Sequence, residues 1–202
     1  ELFICGKTLD VLGNTVGFVS KLSATGVKEW EKVLDSSDGA EYMEFQKLYV
    51  DGSDVWVIGN NRPNSAILDA YNPDIVLVKY TQASDGLSAT LSFQKAYAGI
   101  SGASRSDNVT ALKKLSDNRF VFGGYTNTNS QNPYDAFIAT VDLTGTFAIK
   151  RKIASTKSEK LTDLVVFDES TVYFTMETAT SQNADDINIS FGKVSVGTNV
   201  LT

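Results

Sequence analysis

The chain has no histidine among its 202 residues. That absence removes Ser-His-Asp and Cys-His catalysis, the commonest general base near neutral pH, and every histidine-ligated metal site. Cysteine is nearly absent too. Cys5 stands alone, so no disulfide forms within the chain and thiolate zinc or iron–sulfur sites are excluded. It sits in "LFICG" beside Gly6 and reads as a small apolar residue rather than a nucleophile. No apolar run approaches the length needed to span a bilayer. Positive charge is also short: 18 basic residues against 24 acidic give a net charge of −6, which disfavours a broad nucleic-acid-binding surface. The first residue is not Met, which points to a removed leader or a piece of a longer protein.

What the chain does have is a globular composition, 42% hydrophobic and 21% charged, and a repeat. A Gly or Asp, an alternating strand and a Gly-containing turn recur as "GFVSKLSATG" (Gly17–Gly26), "DIVLVKYTQASDG" (Asp74–Gly86) and "DAFIATVDLTG" (Asp135–Gly145). A weaker copy, "DINISFGKVSVG", runs from Asp186 to Gly197. Equivalent positions Gly17, Asp74, Asp135 and Asp186 lie 57, 61 and 51 residues apart. Repetition at such a period marks a repeat architecture.

A second phrase precedes each sentence: "YVDGSDVWVIGN", "KLSDNRFVFGGYT" and "VFDESTVYFTMET". Two β-rich runs joined by an Asp/Asn/Gly turn read as a hairpin. The opening "LFICGKT" matches the second half of that phrase. A third element follows each sentence: "VKEWEKVL", "LSFQKAY" and "TFAIKRKI". It alternates like a half-buried strand and is taken as the first strand of the next unit. Four strands in roughly fifty residues is the size of a β-propeller blade.

The pattern resembles the bacterial-type β-propeller repeats called SBBP. "DAFIATVDLTG" is the closest copy, and "GFVSKLSATGVKEWEKVL" keeps the spacing from Gly26 to Trp30. The fourth copy departs from the motif, with Thr175 in the place of its Gly. The resemblance implies a scaffold in a large extracellular or surface protein, without a common enzymatic activity. The expected fold is therefore all-β: a propeller-like array of four-stranded antiparallel blades, about three and a half of them, from a larger propeller. The expected division is a half blade over 1–26 and blades over 27–86, 87–145 and 146–202. Two copies cannot complete one another by exchanging strands, because neither ends in a spare pair.

The carboxylates Asp35, Asp38, Asp51, Asp54, Asp185 and Asp186 lie nearly all in Gly/Ser/Asn-rich turns. There Asp is expected to bond its local backbone rather than to catalyse. "DSSDG" and "DGSD" lack EF-hand spacing, and "LSATGVKEW" has Ala24 in the place of the Asp of a sialidase Asp-box. Lys150-Arg151-Lys152 lies in an alternating strand and reads as a solvated blade edge. The Gly-Gly of "VFGGY" lacks the following helix that a phosphate loop needs. Trp30, Trp56, Phe93, Phe120, Phe122, Phe137 and Phe174 recur at equivalent strand positions and read as packing. Tyr71 and Tyr134, in polar insertions beside Pro73 and Pro133, are the candidate contact loops. Asn108 and Asn188 head two N-x-S/T sequons and are candidate glycosylation sites, Asn108 being preferred for its polar surroundings.

These readings lead to a non-enzymatic structural or interaction segment of a secreted or cell-surface protein. It would have no catalytic, metal or cofactor site, and its partners would be other proteins or further copies of itself. The alternative is a carbohydrate-binding propeller or a carboxylate-based glycosidase, with glycans as partners.

Overall fold

The computed structural model describes residues 1–34, 42–62, 74–97, 107–115, 118–127, 134–180 and 186–197. Among them are fourteen strands and no helix, hence none long and apolar enough to cross a membrane. The strands are β1 (Leu2–Leu9), β2 (Thr15–Leu22), β3 (Lys28–Leu34), β4 (Tyr42–Asp51), β5 (Asp54–Arg62), β6 (Asp74–Gln82) and β7 (Ala89–Tyr97). They continue as β8 (Asp107–Lys114), β9 (Arg119–Asn127), β10 (Tyr134–Asp142), β11 (Phe147–Ile153), β12 (Ser158–Asp168), β13 (Thr171–Ala179) and β14 (Asn188–Ser195). The chain divides into two compact units, Glu1–Ala98 and Gly99–Thr202.

In the first unit β1, β2 and β3 form one antiparallel blade and β4 to β7 a second. A single parallel bridge, Thr15 to Tyr42, joins them. In the second unit β8 to β11 form a four-stranded blade and β12 to β14 a three-stranded one. The architecture is an all-β, propeller-like array of antiparallel blades.

The third repeat element does not open the next unit. β3, β7 and β11 each pair with the strand just before them, β2, β6 and β10. Each closes its own blade as an outer strand. The physical reason is the short turn between them, whose ends are tied by backbone bonds such as Ser23 N–H to Val27 O at 2.8 Å and Asp142 N–H to Thr146 O at 3.1 Å. A tight hairpin fixes an antiparallel neighbour before any distant strand competes.

Each blade that has a first strand carries the same irregularity in it. The ladder skips one residue at Gln46 in β4, Thr110 in β8 and Thr162 in β12, a β-bulge repeated at one place. Two glycines sit opposite it. A β-carbon at Gly59 would lie 1.9 Å from the Glu44 carbonyl oxygen, and one at Gly124 would lie 1.7 Å from that of Asn108. No side chain fits there.

The cores lie between blades. Val19 packs with Met43, Phe45, Val55, Val57, Val76 and Val78 in the first unit. In the second, Leu161, Leu164, Val172 and Phe174 pack on Val121, Ala136 and Ile138. All but one of the aromatics read as packing are buried, and Phe93 is half-buried against Trp56 with ring centroids 5.8 Å apart. Cys5 packs beside the first core, where burial pushes its thiol up to about 11. It is a poor nucleophile at neutral pH.

Candidate functional site

Some turn carboxylates bond their own backbones, and others bond side chains of neighbouring strands. Asp10 Oδ1 accepts from the Leu12 and Asn14 amides, both at 2.8 Å, and Asp142 Oδ1 accepts from Thr144 at 2.9 Å and Thr146 at 2.8 Å. Asp54 accepts from Thr81 at 2.8 Å and pairs with Lys79 at 3.3 Å. Asp186 accepts from the Thr180 amide at 3.2 Å. Asp35, Asp38 and Asp185 lie outside the described residues, as does Tyr71. Among the described residues no carboxylate or cysteine cluster is placed to hold a metal ion. Lys150, Arg151 and Lys152 lie on β11, at the edge of its sheet.

The chemistry gathers at the rim of each pair of blades, where the first strand of one starts beside the ends of its neighbour. In the first unit the rim holds Lys7, Tyr42 and Glu44. Lys7 Nζ donates to the Tyr42 hydroxyl at 3.1 Å and pairs with Glu44 at 3.2 Å, while Tyr42 also bonds Glu44. The three side chains bond one another.

The second unit's rim is different. Tyr125 lies near the end of β9 and Tyr134 begins β10, and their rings meet edge to face with centroids 5.0 Å apart. Lys160 Nζ lies 4.6 Å from the Tyr134 ring centre and 5.5 Å from that of Tyr125. Beside Lys160 on β12, Glu159 is buried, and its Oε1 accepts from the Ser155 hydroxyl. Its Oε2 is buried with no hydrogen-bond partner among the described residues. Burial pushes the Glu159 carboxyl above the ordinary range, and the neighbouring Asp135 carboxylate adds to the shift, outweighing the Ser155 bond. Asp135 itself is paired with Lys152 at 3.1 Å. It stands in one cross-strand row with Thr126 and Asp107.

Tyr134 is therefore the sequence candidate that the structure places in a cluster. Tyr125, Glu159 and Lys160 were not singled out. Tyr125 follows the Gly-Gly pair of "VFGGY", which marks the bulge opposite it, and that is its one sequence signal. Glu159 in "KSEKL" has none. Of the two sequons, Asn108 is half-buried inside β8, whereas Asn188 is exposed at the start of β14, its Nδ2 donating to Asp186 O at 3.2 Å. The polar groove around Lys21 offers no free cation: Lys21 pairs with Glu29 at 2.9 Å and Glu1 at 3.0 Å, and donates to Gly86 O at 3.0 Å.

No family model matches the chain, and no curated protein matches it. Solved structures do. A Penicillium chrysogenum α-L-arabinanase complexed with arabinobiose aligns at 10% identity over 95% of this chain and 61% of that one, with a TM-score of 0.51. A thermostable family-43 glycoside hydrolase aligns at 13% identity over 97% of this chain and 71% of that one, with a TM-score of 0.50. The chain thus spans about three fifths of the arabinanase's length. At such identity the likeness establishes the fold, the β-propeller. It also corrects one expectation. Both of these propellers are glycoside hydrolases, which counts against the expected non-enzymatic structural segment and favours the carbohydrate alternative.

Proposed function

We propose that the chain binds a saccharide at the rim formed by Tyr125, Tyr134, Glu159 and Lys160. The observation that carries the reading is the pair of tyrosine rings with Lys160 against them, on the rim where the next residue of β12, Glu159, keeps a buried oxygen without a partner among the described residues. A sugar presents an apolar C–H face and a fringe of hydroxyls, so it needs an aromatic surface and a polar group still able to bond. A carboxyl oxygen accepts hydrogen bonds from hydroxyls, and binding sites of this kind join apolar lining to a few polar groups. The first unit's rim has the same residue types, but they satisfy one another.

Glycan-array binding followed by calorimetry with the best-bound oligosaccharide tests this, arabinobiose being included as a defined probe. Tyr134→Ala and Glu159→Ala should each weaken binding about tenfold or more, since each removes about 1–3 kcal/mol of contact. An array on which the folded chain binds no glycan overturns the proposal.

A second reading is favoured by the placing of two carboxyl groups, Glu159 and Asp135, near enough to interact, with burial pushing the Glu159 carboxyl up. Glycoside hydrolysis uses one protonated and one ionised carboxyl group. In that reading Glu159 is the acid and Asp135 the second carboxyl group. Reducing-sugar release from a bound oligosaccharide, abolished by Glu159→Gln while binding persists, is the result expected. Binding without release rejects hydrolysis and leaves the binding proposal standing. A secreted or cell-surface location belongs to the same proposal, and intact-mass detection of glycan at Asn188 would support it.

A further inference from the structure

The β12–β14 sheet has one face packed in the core and one face bare. Its packed face presents Leu161, Leu164, Val172 and Phe174 to Val121, Ala136 and Ile138 of the β8–β11 blade. Its other face presents Val165, Phe167, Tyr173, Ile189 and Phe191, all exposed, with Phe191 at 86% and Ile189 at 72%. Val165, Tyr173 and Phe191 line an apolar groove of about 170 Å³.

Register shows which interface this face corresponds to. Gly123 and Thr175 are the residues paired just past the bulge in their blades, with Ala111 and Asp163 respectively. Gly123 faces Ile138 across the ladder, and Thr175 faces Phe191. Phe191 therefore stands where Ile138 stands, and Ile189 where Ala136 stands. Both counterparts are fully buried beneath the β12–β14 blade. The bare face repeats the side of a blade that another blade covers.

The complementary half is also bare, at the other end of the chain. "LFICGKT" aligns with the second strand of the repeat, so Leu2 and Ile4 occupy the places of Val172 and Phe174. Those are the residues that do the covering in the second unit. Leu2 is 54% exposed and Ile4 38%, while Phe3 and Cys5, on the opposite face of β1, pack on the first core. Val33, paired with Phe18 across β2 and β3, adds a further exposed apolar side chain.

We propose that the bare face of β12–β14 receives the bare face of β1–β3 from a second copy of the chain. The contact extends the blade-on-blade packing already present within each unit, and it joins faces without exchanging strands. It is heterologous, since two different surfaces meet. Apolar patches of this kind on a folded chain mark interaction sites.

Sedimentation velocity over a concentration series tests it. The wild-type chain should gain mass with concentration, whereas Phe191→Asp and Ile4→Asp should each remain monomeric. Circular dichroism should show both variants folded, as both positions are exposed. An equimolar mixture of the two should form a dimer, because one variant retains an intact β12–β14 face and the other an intact β1–β3 face. A wild-type chain that stays monomeric overturns the proposal. So does an Ile4→Asp chain that associates like wild type, or a mixture that remains monomeric.

Discussion

Tyr80 and Glu159 are the two residues whose burial has the clearest cost. The Tyr80 hydroxyl is buried without a hydrogen-bond partner among the described residues, and burial pushes it up to about 12. Tyr80→Phe removes an unsatisfied group and no bond. Its unfolding free energy, measured in urea, should be unchanged or higher by about 1 kcal/mol. Glu159 has a more directional signature. Its folded carboxyl holds a proton above the ordinary value of 4.5, so over that window the folded chain binds more protons than the unfolded one. Stability from this group is complete below the ordinary value and is lost as pH rises through the raised one. Glu159→Gln should flatten that fall, which thermal melts between acidic and neutral pH will register. The same buried oxygen was invisible in sequence. "KSEKL" differs in no way from a solvated strand, and only the packing of one blade on the next brings Glu159 near Asp135.

At the scale of the element, alternation was enough to locate the strands, because a half-buried strand needs a period of two. It was not enough to assign β3, β7 and β11 to blades. Their patterns fit either neighbour, and the short turns behind them decide. The hairpin turns were legible for a local reason. Asn118, just before β9, sits at φ +64°, a left-handed position that asparagine tolerates better than most residues. Two substitutions probe what holds the strands in place. Gly124→Ala drives a methyl into the Asn108 carbonyl opposite the bulge and should cost about 3 kcal/mol or more in a denaturant titration. Arg119→Ala should cost about as much. That buried guanidinium donates to Val196 O at 3.0 Å, Gly197 O at 2.5 Å and Glu169 O at 3.0 Å, tying β9 to the β12–β13 turn and to the end of β14.

For the molecule as a whole, charge and exposed apolar surface act together. The net charge of −6 at neutral pH keeps copies apart, while Phe191 and Ile4 on their bare faces draw them together. Near pH 4.7, where the charge balances, the repulsion disappears. Light scattering should pass through a maximum there and fall again on either side, less steeply for Phe191→Asp than for wild type.

The bulge shared by β4, β8 and β12 has a consequence for how the chain reaches this state. Because each first strand skips the ladder at the same position, the three are close to interchangeable as edges for a hairpin to accept. During refolding a hairpin meets correct and incorrect first strands with similar geometry, and a wrong choice is not rejected until the side chains between blades fail to fit. Discrimination therefore comes late, from contacts such as Leu161 against Gly123. The repeat that makes the blades alike also makes them competitors for one another.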